Sequence, residues 1–289
     1  MPLDDYLDAA TLERLARFSL KMRRRFADLK AGDFKGVQTG DGVEFFEHKR
    51  YAPGMDIRAI DWRRYAKTDT LYVKRFERES NLRALILLDV SASCGRDTSV
   101  GDVKFPAAAK AACILAYVYL ANGIPVTFAT FDASVRDVIG AAPNLSVMKR
   151  IASVIDKSAY DGRSSSAGLI TARPLLTPRS DVFIISDFFY HDISNLPPFL
   201  TLMRGMHIRC RIMQILAQSE ITLSQADALY IDAETNAQHS VAAATIRHEY
   251  ADALAEHTRT LSVAAADNDH IFTRIPAESS IVDACLRAV

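Results

Sequence analysis

RALILLDVSASCG, residues 83–95, decides how this 289-residue chain is read. Leu85, Ile86, Leu87 and Leu88 follow one another without a polar interruption. A strand apolar on both faces belongs inside a helix-covered parallel sheet, because a solvated face would alternate with polar residues. The run ends in Asp89, with Ser91 and Ser93 at alternate positions beyond it. In open α/β sheets ligands bind in the crevice outside the carboxyl ends of the strands, where these three residues fall. A carboxylate and two hydroxyls are hard oxygen donors, suited to Mg²⁺ or Mn²⁺ rather than zinc or copper. The same residue types also cap helices after a βα turn, accepting from orphan backbone N–H groups. On this stretch alone both readings stand.

Beyond it the pattern alternates regularly. Strand-like runs occupy residues 85–89, 125–131, 182–187, 208–216 and 271–275, with weaker ones at 135–139 and 229–232. Helical stretches fit residues 103–121, 145–156, 165–176, 195–204, 241–264 and 280–288. Alternating strands and helices imply right-handed βα crossovers, hence a doubly wound, mainly parallel α/β sheet of Rossmann-like type with helices on both faces. A second buried run, VFIIS at residues 182–186, ends at Asp187 as the first ends at Asp89. Between them lies a hydroxyl-rich loop, Gly162, Arg163, Ser164, Ser165 and Ser166. Asp89, Ser91, Ser93, Ser164 and Asp187 would together offer five oxygen donors, leaving room in an octahedral shell for water or a ligand.

Composition excludes several classes of function. Lys and Arg number 35 against 35 Asp and Glu, so no bulk charge steers the chain toward nucleic acid or a membrane surface. Cys94, Cys113, Cys210 and Cys285 are widely spaced with no CxxC pair, which argues against zinc and against a disulfide framework. A cytoplasmic home follows from that spacing. The N-terminus lacks the basic start and apolar centre of a signal peptide. No run approaches the roughly 20 apolar residues of a membrane span, and the apolar stretch 107–121 reads as a core helix.

Residues 1–35 form an N-terminal helical segment, with helical spacing over 9–29 and a basic cluster, Lys21, Arg23, Arg24 and Arg25, that reads as a solvated face. Residues 36–80 change to turn signals around strand-like pieces at 43–46 and 71–76, a small β-rich module. It is dense in Arg50, Asp56, Arg58, Asp61, Trp62, Arg63, Arg64 and Tyr65. Adjacent opposite charges favour an internal ion-pair network. Exposed Trp, Tyr and Arg would instead anchor an interface, with Trp62 and Arg58 the candidates and Arg163 a third beside the hydroxyl loop. Residues 81–289 make the α/β domain.

DVSAS, a hydroxyl loop and a later strand ending in ISD together resemble the metal-ion-dependent adhesion site of von Willebrand factor A (VWA) domains. The preceding stretch RYAPGMDIRAIDWRRYAKTDTLYVKRFERE, residues 50–79, resembles the signature of the DUF58 family. That likeness runs from about Gly36 to the C-terminus and includes IDAETN near Asp232. Met55 stands where the family has an aspartate, and Gly162-Arg163-Ser164 where it has Gly-Gly-Thr. The resemblance implies that Ser91, Ser93 and Ser164 ligate a metal directly or nearly so, with Asp89 and Asp187 binding directly or through water. Asp192 is left as a spare carboxylate. It further implies a non-enzymatic, Mg²⁺- or Mn²⁺-dependent protein-binding module whose open metal position takes a partner's carboxylate. The implied partner is a MoxR-type AAA+ ATPase or its client, with the chain as adaptor or co-chaperone.

Two other functions compete. A phosphatase of haloacid dehalogenase type would use Asp89 as nucleophile, but that chemistry wants an acid two residues on, where Ser91 stands. A VWA-like domain with a degenerate metal site would act only as a scaffold. No Gly-rich phosphate loop or GxSxG elbow is present. His191 and His207 flank later strands as structural hydrogen-bonders, and Cys94 reads as packing.

Overall fold

The computed structural model describes residues 3–32, 43–55, 57–78, 82–94, 104–158, 162–163, 165–190, 192–223, 228–231, 238–241 and 243–289. Arg24–Asn81 form one compact unit, and Met1–Arg23 with Leu82–Val289 form the other.

In the smaller unit β1 (Val43–Arg50) pairs antiparallel with β2 (Tyr72–Arg78), with an irregularity between Phe45 and Glu47. A helix, Trp62–Thr68, lies between them, and pattern reading passed over it because it is too short to show a period. Asp61 starts it: its Oδ1 accepts from the backbone N–H of Arg63 and of Arg64, each at 3.1 Å. The other oxygen of Asp61 lies 2.9 Å from His48 Nε2, and Arg64 stacks 4.7 Å over the Tyr72 ring. This buried aspartate therefore serves the module's internal network.

The larger unit is built on β3 (Ala84–Asp89), β4 (Val126–Phe131), β5 (Val135–Ala142), β6 (Asp181–Ser186) and β7 (Arg209–Leu216). Strands β8 (Ala228–Ile231) and β9 (Gln238–Val241) pair with each other, and β10 (Ile271–Pro276) completes the main sheet. The order is β10-β7-β6-β3-β4-β5, parallel except for β5 at one edge. This is the mixed α/β architecture, with a mainly parallel central sheet, expected from the sequence.

Every residue of β3 and of β6 is buried, which is why neither alternates. Leu85 and Leu87 join a cluster with Leu169, Phe199, Leu200, Met203 and Leu261 on one face. The other face takes the helix Lys104–Ala121, which also packs on Val147–Lys157 and Ile281–Ala288. Each fully buried Leu or Ile side chain of this kind contributes about 1.5–3 kcal/mol. By length and composition Lys104–Ala121 would suffice to cross a membrane, but 78% of it is buried inside the protein, where it serves as the core helix.

One expected helix is corrected. Residues 165–176 form two pieces, Ala167–Thr171 and a 3-10 turn Arg173–Leu175, because Pro174 has no N–H to donate and its ring crowds the preceding turn. The helix expected from residue 241 begins at Ala243, since Val241 belongs to β9.

Candidate functional site

Strand β3 lies between β4 and β6, and the chain leaves β3 toward one side of the sheet and β6 toward the other. Parallel register sets Leu88 opposite Ile185, so Asp89 and Ser186 end side by side and Asp187 follows immediately. The two aspartates thus meet at the topological switch point, where crevices open in such sheets. Ligand atoms of Asp89, Asp187 and Cys94 all lie within 4.8 Å of one another.

Each member is held by specific bonds. Asp89 Oδ2 accepts from Ser186 Oγ at 2.5 Å, and its Oδ1 accepts from the Ser91 N–H at 2.9 Å. Ser186 Oγ in turn accepts from the Phe188 N–H at 2.8 Å and from the Tyr190 hydroxyl at 3.2 Å. Ser91 and Ser93 hydroxyls lie 3.1 Å apart. Asp187 Oδ1 accepts from the Phe189 N–H at 3.1 Å, and its carbonyl accepts from Gln214 Nε2 at 2.9 Å. Gln214 is fully buried, and its Oε1 has no protein partner.

The hydroxyl loop reaches the site through Gly162, which bridges Ser91 in parallel and accepts from the Ala92 N–H at 2.8 Å. Glycine suits this approach: a Cβ there would meet the Asp132 carboxylate, which would have to shift. Asp132, at the end of β4, accepts from Arg136 Nε at 2.6 Å. Ser164 lies outside the described residues, as do Asp56, His191 and Asp232. Arg163 is exposed, and Ser166 is buried, its hydroxyl accepting from Asn195 Nδ2 at 3.1 Å.

So the structure brings Asp89, Ser91, Ser93 and Asp187 together. Asp192 instead closes its own exposed turn, accepting from the N–H and hydroxyl of Ser194 at 2.8 Å each. His207 precedes the amino end of β7, on the opposite edge from the crevice. Trp62, 61% exposed, and the exposed Arg58 belong to the smaller unit.

Sequence reasoning missed Lys104, whose ammonium donates to Asp187 Oδ2 at 3.1 Å and to Glu220 Oε1 at 2.6 Å. The available signal was a lysine at the first position of a largely apolar helix. Burial works against the Lys104 ammonium, but Asp187 and Glu220 outweigh it and raise its pKa. Burial, and then Asp187, raise the Asp89 carboxyl well above the usual carboxylate range. Burial and the same two aspartates push the Cys94 thiol up, which keeps it neutral and unreactive. Lys104 bridges Asp187 and Glu220, and Asp89 lies beside Asp187, so three carboxyl groups share the described site with one ammonium. Hard oxygen donors, two carboxyl groups and a pair of hydroxyls, fit a divalent cation.

An uncharacterized protein of Mycobacterium tuberculosis (strain ATCC 25618 / H37Rv) is 31% identical over 112 residues, 39% of this chain. The match spans about a third of that relative, 34% of its length. Among solved structures, the chain is similar to an aerotolerance-related membrane protein from Bacteroides fragilis at 13% identity and a TM-score of 0.46, covering 72% of this chain and 96% of that one. It is also similar to the SpRpn10 VWA domain at 12% identity and a TM-score of 0.44, covering 72% and 95%. The cytoplasmic placement expected from cysteine spacing is corrected: the Bacteroides fragilis neighbour is described as a membrane protein. Free, buried cysteines bear on redox state and packing, not on whether a domain is tethered to a membrane. Residues 47–260 match the family model described as protein of unknown function DUF58, and the chain belongs to that family.

Proposed function

We propose that this chain is a protein-docking module in which Asp89, Ser91, Ser93 and Asp187, together with Ser164, hold Mg²⁺ or Mn²⁺. The observation that carries this reading is the meeting of two buried carboxylates and a hydroxyl pair at the switch point, with one ammonium against three carboxyl groups. When bound, the ion supplies a Lewis-acidic seat for a carboxylate from a partner. The chain's own residues supply position. Ser186 and the Ser91 N–H aim Asp89, the Phe189 N–H aims Asp187, and Gly162 lets the hydroxyl loop close on Ser91.

The partner we propose is a MoxR-type AAA+ ATPase or its client, with the chain as adaptor or co-chaperone, as the resemblance to DUF58 proteins implies. Arg163, in the larger unit, and Trp62 and Arg58, in the smaller, are exposed and suited to contacts with a partner. A non-enzymatic role agrees with Ser91 at the position where a phosphatase of the haloacid dehalogenase type needs an acid.

Thermal melts test the metal. At a Mg²⁺ concentration 100 times its Kd, binding to the folded state alone adds about 2.7 kcal/mol, so Tm rises in the wild type and stays flat in Asp89→Ala. A wild-type Tm that does not move across millimolar Mg²⁺ contradicts the proposal.

A further inference from the structure

Lys104 opens the core helix with its side chain only 8% exposed, and its ammonium sits between two carboxylates on different elements. Glu220 is anchored independently of it. Glu220 Oε2 accepts from the Ala217 N–H at 2.8 Å, and its carbonyl accepts from the Tyr250 hydroxyl at 2.6 Å. Asp187, by contrast, has one oxygen on the Phe189 N–H and the other on Lys104. Removal of the ammonium would leave that second oxygen, wholly buried, without its charge partner.

We infer that Lys104 is a tethered counter-ion that competes with a divalent cation for Asp187, while Glu220 is the seat to which its ammonium withdraws when the ion binds. The inference rests on the metal reading above. Two cations beside one carboxylate repel each other strongly in a buried site, so the Lys104–Asp187 contact and the bound ion are alternatives. Glu220 then decides how easily Lys104 lets go. The site's affinity is thereby set from outside its ligands, and occupancy is linked to the short helix Gln218–Ile221 after β7.

Calorimetric titration of Mg²⁺ into the chelator-stripped full chain tests this with two variants of opposite sign. Lys104→Met, which removes the competitor, tightens Mg²⁺ binding by about tenfold or more. Glu220→Gln, which takes away the second seat and leaves Lys104 with Asp187 alone, weakens it several-fold. Glu220→Gln is nearly isosteric and carries the test if Lys104→Met folds only with Mg²⁺ present. Wild-type binding with unchanged affinity in both variants overturns the role of Lys104 and leaves the metal reading intact. Binding by Lys104→Met but not by the wild type upholds the competition and overturns metal dependence of the native chain. No binding by any of the three overturns both.

Discussion

Asp181→Ala is expected to lower the stability of the larger unit by about 3–5 kcal/mol, the usual cost of removing one partner from a buried charge cluster. Asp181 opens β6 at the edge of the sheet opposite the candidate site and is fully buried. Arg209 grips it with two parallel bonds, Nε to Oδ1 at 2.6 Å and Nη2 to Oδ2 at 2.7 Å. Tyr119 donates to Oδ2 at 2.6 Å, and Arg211 Nη1 reaches Oδ1 at 3.5 Å. Arg209 is 40% exposed and can turn to water, but Arg211 is 7% exposed and has no such escape. Its guanidinium, 5.4 Å from the Phe183 ring centroid, would be left as a buried charge without its carboxylate. Urea unfolding reads the loss directly. With a whole-domain stability of only about 5–15 kcal/mol, a loss below about 1 kcal/mol would show that this cluster does not hold the strand ends together.

Lys104→Met in chelator is expected to cost a similar amount, about 3–5 kcal/mol, at the other end of β6. Methionine fills most of the lysine's volume, so the loss is electrostatic rather than steric. Asp187 is wholly buried and Glu220 partly so, and both lose their cation. The two variants separate once Mg²⁺ is added. A divalent ion replaces the missing charge beside Asp187 and restores most of the stability of Lys104→Met. Asp181→Ala keeps the metal ligands and gains only what the wild type gains from Mg²⁺, because its defect is an unpaired cation on the opposite edge of the sheet. Melts of the wild type and both variants with and without Mg²⁺ make this comparison, and a gain in Lys104→Met no larger than that of the wild type would mean the ion does not replace the lost charge.

These two clusters also show what a sequence discloses. Strands β3 and β6 were legible because burial on both faces erases the period-two alternation, and where the two runs stop then marked Asp89, the last residue of β3, and Asp187, the residue after β6, as strand-end carboxylates. Lys104 was not legible as a member of the site. Its role depends on β6 lying beside β3 and on Glu220 arriving after β7, pairings separated by 83 and 116 residues. Gly162 read only as part of a hydroxyl-rich loop, because the need for glycine comes from the Asp132 carboxylate at the end of another strand. The helix Trp62–Thr68 was hidden by its length, and its cap, Asp61, looked in sequence like one more member of a charge cluster. The break at Pro174 was legible in principle, since the missing N–H is a local property.

By the function proposed, the carboxyl ends of β3 and β6 hold a divalent cation. Crystals of the full chain grown with Mn²⁺, with data collected at the manganese absorption edge, test it most directly. A single anomalous peak is expected about 2.1–2.2 Å from the hydroxyl oxygens of Ser91 and Ser93 and beside Asp89 and Asp187, with the Lys104 ammonium turned to Glu220. Ordered Ser91, Ser93 and Asp89 side chains with no anomalous peak between them, and Lys104 still on Asp187, would contradict it.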